Sequence, residues 1–206
     1  MALRAEIAAR YPKEMKLPDG RIATMRLMES GDKEELLEFA RSLPQDDLLF
    51  LRTDITDPAV VDEWVGNIQD GKTITLLAEM VNIETVLSEP SVRIKEMAAY
   101  ASVHLSPVRW TRSIGELRIN IAPAYRSIGL GRRLTAEIFA VAKSIGLRKI
   151  TAQMTADQSG ARAVFEKLGF QVEAVLTDWV EDRRGRSRDL IVMTHDLYGF
   201  SNHAAA

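Results

Sequence analysis

Residues Glu116 to Arg133, ELRINIAPAYRSIGLGRR, decide how this chain is read. Residues 114–121 alternate between apolar and polar, which predicts a strand ended by Pro123. Arg126-Ser-Ile-Gly129-Leu-Gly131 predicts a turn, and a long amphipathic helix over 129–145 follows, with Leu130, Leu134, Ile138, Val141 and Ala142 on one stripe. A glycine-rich turn entering a helix leaves several amide N–H groups unpaired at the positive end of the helix dipole. Such a terminus suits a phosphate or pyrophosphate, and glycines let the backbone approach it closely. Two common nucleotide loops do not fit. Arg132-Arg133 stands where a Walker A loop needs Lys-Ser or Lys-Thr, and Arg126 stands where a dinucleotide fingerprint needs its first glycine.

The spacing Arg126-x-x-Gly129-x-Gly131 resembles the acetyl-CoA loop of the GCN5-related N-acetyltransferases, the GNAT superfamily, which reads Gln/Arg-x-x-Gly-x-Gly/Ala between a strand and a long helix. A second segment, from Gln158 through Ala161 and Phe165 to Lys167-Leu-Gly-Phe170, resembles that family's later motif of Asn-x-x-Ala, an aromatic residue and Lys-Leu-Gly-Phe. Both occur in the family's order and at its usual separation, and the likeness runs from about Ile22 to Leu197. It implies a mixed α/β (α+β) GNAT fold: a central, mixed, mostly antiparallel twisted sheet of six to seven strands with about four helices. Acetyl-CoA is the implied co-substrate.

The remaining segments agree with that element order. Asp19-Gly20 marks a turn before a strand over 22–27. Residues 32–42 predict an amphipathic helix, with Ser30 or Asp32 as cap and Pro44 after it. Asp57 as N-cap and Pro58 at the first helical position open a second helix, with Val60, Val61, Trp64, Val65 and Ile68 as its apolar face. Strands follow over 73–80 and 97–105. The span 81–96 between them is longer than the tight hairpin common in the family, so an extended hairpin or small insertion is expected. Further strands over 149–154, 171–180 and 187–196 flank a short helix over 159–168. The expected organisation is an arm over 1–16, the acetyltransferase domain over 17–198 and a flexible tail over 199–206.

Composition narrows the function classes. A chain of 206 residues with 46% hydrophobic content can bury a sizeable core. A net charge of −2 and a pI near 6.0 give no case for nucleic-acid binding. Cysteine is absent, and the scattered His104, His195 and His203 do not suggest a metal site. No apolar run approaches the ~18–20 residues that span a membrane, and the N-terminus lacks the apolar core of a signal peptide, so a cytoplasmic protein is expected.

The resemblance implies a chemistry that can be assigned to residues. A neutral amine attacks the acetyl thioester, and something must accept its proton. Glu116 is the candidate base, because a glutamate near this place on this strand serves many GNAT proteins, including bacterial protein-lysine acetyltransferases. Alternation puts Glu116, Arg118 and Asn120 on one face of the strand and Leu117, Ile119 and Ile121 on the other. An edge glutamate paired with Arg118 or Arg112 is the competing reading. The pyrophosphate is assigned to the amides of Ser127, Ile128, Gly129, Leu130, Gly131 and Arg132, with Arg126 adding charge. The pantetheine arm is assigned to Asn120, Ile121 and Ala122, and the second motif contributes Gln158 and Phe165 to the cofactor site.

Phe165 departs from the family pattern, which carries at this place a tyrosine that protonates the leaving thiolate. Unassisted departure, another proton source, or impaired catalysis each account for it, and Tyr100 and Tyr125 are the alternative hydroxyls. The last possibility keeps a rival open: a non-catalytic acetyl-CoA sensor. The acceptor is a small amine or a protein lysine or N-terminus. Residues 17–52 loosely resemble the acetyltransferase domain of bacterial protein-lysine acetyltransferases. Asp46, Asp47, Asp54 and Asp57 could attract a cationic acceptor or simply cap and solvate turns. The apolar strand around 190–193 allows a homodimer contact as readily as a core strand.

Overall fold

A computed structural model describes residues 2–49, 51, 53–84, 92–182 and 184–198. Its centre is an eight-stranded sheet: β1 (Lys13–Lys16), β2 (Ile22–Leu27), β3 (Thr73–Glu84), β4 (Val92–Leu105), β5 (Ile114–Ile121), β6 (Lys149–Thr155), β7 (Gln171–Glu181) and β8 (Ser187–Asp196). The strands lie in the order β1-β2-β3-β4-β5-β6-β8-β7. Every neighbouring pair is antiparallel except β5 and β6. The helices are α1 (Ala2–Ala8), α2 (Lys33–Ser42), α3 (Gln45–Leu49), α4 (Pro58–Gln69), α5 (Leu130–Ser144) and α6 (Ser159–Lys167).

The fold is the expected mixed α/β GNAT arrangement, with a strand more than the six to seven anticipated. The extra strand is Lys13–Lys16, which lay inside the expected N-terminal arm. Its sequence, KEMK, carries no strong β signal, and only its pairing with residues 22–25 makes it a strand. Two short helices, α1 and α3, also take the helix count above four. The span 81–96 is an extended hairpin as far as it is described: β3 and β4 stay paired out to Glu84 and Val92, and residues 85–91 lie outside the described residues. The expected flexible tail, 199–206, lies outside them too.

Two layers of helix cover the sheet. On one face Trp64 of α4 packs edge-on against Tyr100 of β4 at 5.0 Å and donates its Nε1–H to Thr75 Oγ1 at 3.0 Å. Phe39 of α2 meets the same tyrosine at 5.9 Å. On the other face α5 buries Leu130, Leu134, Ile138, Val141 and Ala142, the stripe expected from its 3.6-residue period. Each large aliphatic side chain there contributes about 1.5–3 kcal/mol of burial. The Asp57 carboxylate caps α4 as expected, accepting from Ala59 N–H at 2.9 Å.

The β7–β8 hairpin is fastened by one buried carboxylate. Asp182 accepts the backbone N–H groups of Arg184 (2.8 Å) and Arg186 (3.1 Å) and pairs with the guanidinium of Arg188 at 3.0 Å. Burial alone would raise its pKa, but those amides and that guanidinium outweigh burial and hold it at about 2. A carboxylate depressed in the folded state stabilises at pH above its unfolded value of 3.8 and loses that contribution as pH falls toward about 2. Urea midpoints of the native chain are therefore expected to fall more steeply between about pH 4 and pH 2 than those of Asp182→Asn, which starts lower at neutral pH. Parallel slopes would remove Asp182 from this role.

Candidate active site

The parallel ladder between β5 and β6 is short. It pairs Ile114 with Lys149, Gly115 with Ile150 and Glu116 with Thr151, and then stops. Beyond Glu116 the two strands diverge, while β5 stays paired with β4 out to Ile121. Ala122 N–H donates to Ala98 O, and alternation along an antiparallel pair then sends the backbone groups of Asn120 and Arg118 toward β4 as well. Those of Ile119 and Ile121 turn to the opposite edge, where β6 has moved away. A slot edged by peptide groups that β6 does not pair opens in the middle of the sheet, and of these Ile121 O accepts from Arg126 Nε.

The glycine loop sits at the end of that slot. Its residues Ser127 (φ +62°) and Gly129 (φ +87°) are both left-handed. Between Arg126, whose N–H reaches Pro123 O, and Arg133, whose N–H reaches Gly129 O at 3.2 Å, no amide donates to a backbone carbonyl among the described residues. Six consecutive N–H groups, Ser127 to Arg132, are thus available at the positive end of a 15-residue helix. Gly131 lets α5 lie close on β5, since a Cβ there would be 2.6 Å from Ile121 Cδ1. The Arg126 guanidinium bonds Ile121 O at 3.0 Å and pairs with Asp47 of α3.

Around the slot, one face of the sheet is polar across three strands. The register aligns Thr73, His104 and Glu116 in one row, Thr75, Ser102 and Arg118 in the next, and Leu77, Tyr100 and Asn120 in a third. Glu116 Oε1 accepts from Arg118 Nε at 3.1 Å. Both ring nitrogens of His104 are engaged, Nδ1 with Thr73 Oγ1 at 3.1 Å and Nε2 with Ser102 Oγ at 2.9 Å. Asn120 Nδ2 donates to Tyr100 Oη at 2.6 Å, and burial pushes the Tyr100 hydroxyl up to about 12.

The second motif folds as its own cap. Gln158 precedes α6, and its Oε1 accepts from Thr155 N–H at 3.1 Å. The Thr155 hydroxyl, at the end of β6, is buried without a partner among the described residues. Phe165 is buried and packs edge-on against Phe170 at 5.0 Å.

Residues 87–170 match the acetyltransferase (GNAT) family model. That segment, which holds both the loop at 126–131 and the motif at 165–170, carries the GNAT acetyltransferase pattern. No curated protein matches the sequence. Among solved structures, the GNAT domain of PAT from S. lividans is 18% identical, with 91% of this chain and 98% of that one covered at a TM-score of 0.68. An acetyltransferase from Salmonella typhimurium solved with acetyl-CoA is 20% identical, with 89% and 96% covered and a TM-score of 0.67. The ribosomal-protein-alanine N-acetyltransferase of Brucella melitensis is 21% identical, with 84% and 98% covered and a TM-score of 0.65. At these identities the likeness carries the fold. The match over residues 87–170 supports acetyl-CoA-dependent N-acetyl transfer.

Within this GNAT fold the motif residues fall in three places. Glu116 is on the polar face beside the slot, residues 126–132 close its end, and Gln158 with Phe165 follows β6. Of Asn120, Ile121 and Ala122, Ile121 alone turns its peptide groups to the open edge. Asn120 instead spends its side-chain amide on Tyr100. The four aspartates do not gather: Asp47 pairs with Arg126, Asp54 accepts from Thr56 and Asp57 caps α4, while the Asp46 side chain lies outside the described residues. The sequence reading did not single out Thr155, whose unpartnered hydroxyl has no motif signal. No helix among the described residues is long and apolar enough to cross a membrane.

Gly129 combines a left-handed φ with a neighbour in the way, since a Cβ would meet Pro18 Cδ at 2.9 Å. Gly129→Ala is expected to cost about 1–2 kcal/mol from the backbone conformation alone, read as a lower thermal midpoint. An unchanged midpoint would show that the loop can abandon this conformation freely.

Proposed function

We propose that acetyl-CoA lies in the slot between β5 and β6 with its pyrophosphate on the amides of Ser127 to Arg132, and that Glu116 takes the proton of an attacking amine. The observation that carries this reading is the divergence after Glu116. It puts an open strand edge, a bank of six unpaired amides and a carboxylate along one opening. The edge groups of Ile119 and the N–H of Ile121, whose carbonyl is taken by Arg126 Nε, suit the amides of the pantetheine arm, which need donors and acceptors when taken from water. Ser127 to Arg132 suit the pyrophosphate. The buried Thr155 hydroxyl, which lacks a partner, and the Gln158 amide suit a polar ligand group entering from the end of β6.

In the transfer step the amine nitrogen bonds to the acetyl carbonyl carbon, and the carbon–sulfur bond breaks. The amine proton passes to the Glu116 carboxylate, directly or through water. The thiolate leaves and takes a proton from solvent; an ordinary thiol has a pKa near ~8.5, so this departure needs no strong acid. Position 165 is phenylalanine, Tyr100 Oη accepts from Asn120, and Tyr125 Oη donates to Glu96 at 2.8 Å. His104 is an unsuitable base, because both its ring nitrogens are occupied by hydroxyls. The acceptor is a small amine or a protein lysine or N-terminus.

Two substitutions separate binding from chemistry. Glu116→Gln is expected to lower kcat by about 10²–10⁴-fold, the usual range for loss of a general base, with acetyl-CoA affinity by calorimetry little changed. Equal turnover would remove Glu116 as the base. Gly131→Val, which places side-chain atoms against Ile121, is expected to weaken acetyl-CoA binding at least about 10-fold, or ~1.4 kcal/mol. Retained affinity would move the cofactor away from this loop. Tight acetyl-CoA binding with no thiol release to any amine would favour a sensor, the reading that Phe165 keeps open.

A further inference from the structure

We infer that Arg118 binds the carboxylate of the acceptor, so that the substrate is an α-amino acid whose amine faces Glu116 and whose carboxylate lies on the guanidinium. This rests on the acetyl-transfer reading above and names its substrate class. Arg118 sits in the middle of a central strand, on the same face as Glu116 and two residues along. Its guanidinium is incompletely satisfied. Nε donates to Glu116 at 3.1 Å, Nη1 reaches Thr53 Oγ1 only at the long distance of 3.5 Å, and Nη2 has no partner among the described residues. The side chain is 27% exposed, so bulk water does not fully compensate the unused N–H groups.

What remains available is the Nη1/Nη2 edge, the fork that a carboxylate engages with two parallel hydrogen bonds. A carboxylate there would also meet the Thr53 hydroxyl. The contact between Glu116 and Arg118 sets the spacing of the two charges. They lie side by side, with the sign order of a zwitterion whose amine and carboxylate share one carbon.

Other acceptors match this pair less well. A polyamine would bring a second cation against the guanidinium. A lysine side chain of a peptide would offer its ammonium to Glu116 and an apolar stem to the fork. Three of the four aspartates near the second helix are already engaged by Arg126, by Thr56 and by the α4 cap, so they do not supply a counter-charge for an extended cation.

The test compares free amino acids with their own carboxamides, and with lysine peptides, in thiol release from acetyl-CoA. The native chain is expected to prefer the free acids by about 10–100-fold in kcat/KM, the range for a charged hydrogen-bonded contact. In Arg118→Gln that preference is expected to collapse toward unity, chiefly through a raised KM for the acids. Arg118→Lys, which keeps charge but loses the fork, is expected to recover part of it. Calorimetric acetyl-CoA affinity and the thermal midpoint check that each variant is folded. Carboxamides or lysine peptides used as well as free acids by the native chain would overturn the inference and leave acetyl transfer standing. So would an acid-to-amide ratio untouched in Arg118→Gln. No thiol release with any acceptor, despite acetyl-CoA binding, would overturn both.

Discussion

The constraint on which the site depends is the point where β5 and β6 part. Three residue pairs hold them together, and Glu116 belongs to the last. A parallel pair normally continues until one strand ends, because each unpaired peptide group must otherwise find water or another partner. Here β5 continues for five more residues, to Ile121, with only its β4 edge paired. The cost of that open edge is tolerable if a ligand with peptide-like groups completes it. The pieces at either end follow from the same divergence. The loop at 126–131 must close the end of β5, and the segment after β6 must cap a strand that has lost its neighbour, which is where Gln158 turns its amide back to Thr155.

Strand β5 serves two environments because its side chains alternate. Leu117 and Ile121 lie toward α5, and the contact between Ile121 and the Cβ-free surface of Gly131 fixes how near the helix comes. Glu116, Arg118 and Asn120 lie on the face covered by α2 and α4, where three adjacent strands carry hydroxyls, an imidazole and an amide in register. Burying so many polar groups is stable only when they satisfy one another. Most do: Trp64 with Thr75, Thr73 and Ser102 with His104, and Asn120 with Tyr100. Arg118 stands apart in that row because its Nη2 has no partner among the described residues and its Nη1 only the long contact to Thr53.

Sequence pattern exposed those parts of the fold that depend on local chemistry. The α5 stripe, the cap at Asp57-Pro58 and the alternation of β5 each have a period or a residue type that forces the outcome. The Gly129 turn was legible for the same reason, since a left-handed residue ahead of a helix favours glycine. Strand β1 was not legible, because KEMK becomes a strand only through its partner β2. The site was half legible. Glu116 and residues 126–132 follow from motif spacing, but which edge of β5 is open depends on hydrogen-bond phase between distant strands. That phase singles out Ile121 among Asn120, Ile121 and Ala122. Thr155 is invisible in sequence because being unpartnered is a property of its surroundings.

Position 165 bears on where the rate enhancement comes from. Phe165 packs on Phe170 and offers no proton, the Tyr125 hydroxyl donates to Glu96, and the Tyr100 hydroxyl is buried and accepts from Asn120. A thiol of pKa near ~8.5 leaves far more readily than an amine does, so the tetrahedral intermediate collapses toward product without an acid once the nitrogen has lost its proton. The demanding events are the loss of that proton and the meeting of the two reactants. In the proposed mechanism both fall to β5, which carries the carboxylate on one face and the open edge beside it. Holding two reactants on one rigid strand can supply about 7–11 kcal/mol of the barrier, more than one donor hydroxyl supplies. On that proposal the site can spare the tyrosine, but it cannot spare the divergence beside Glu116, where donor and acceptor would meet.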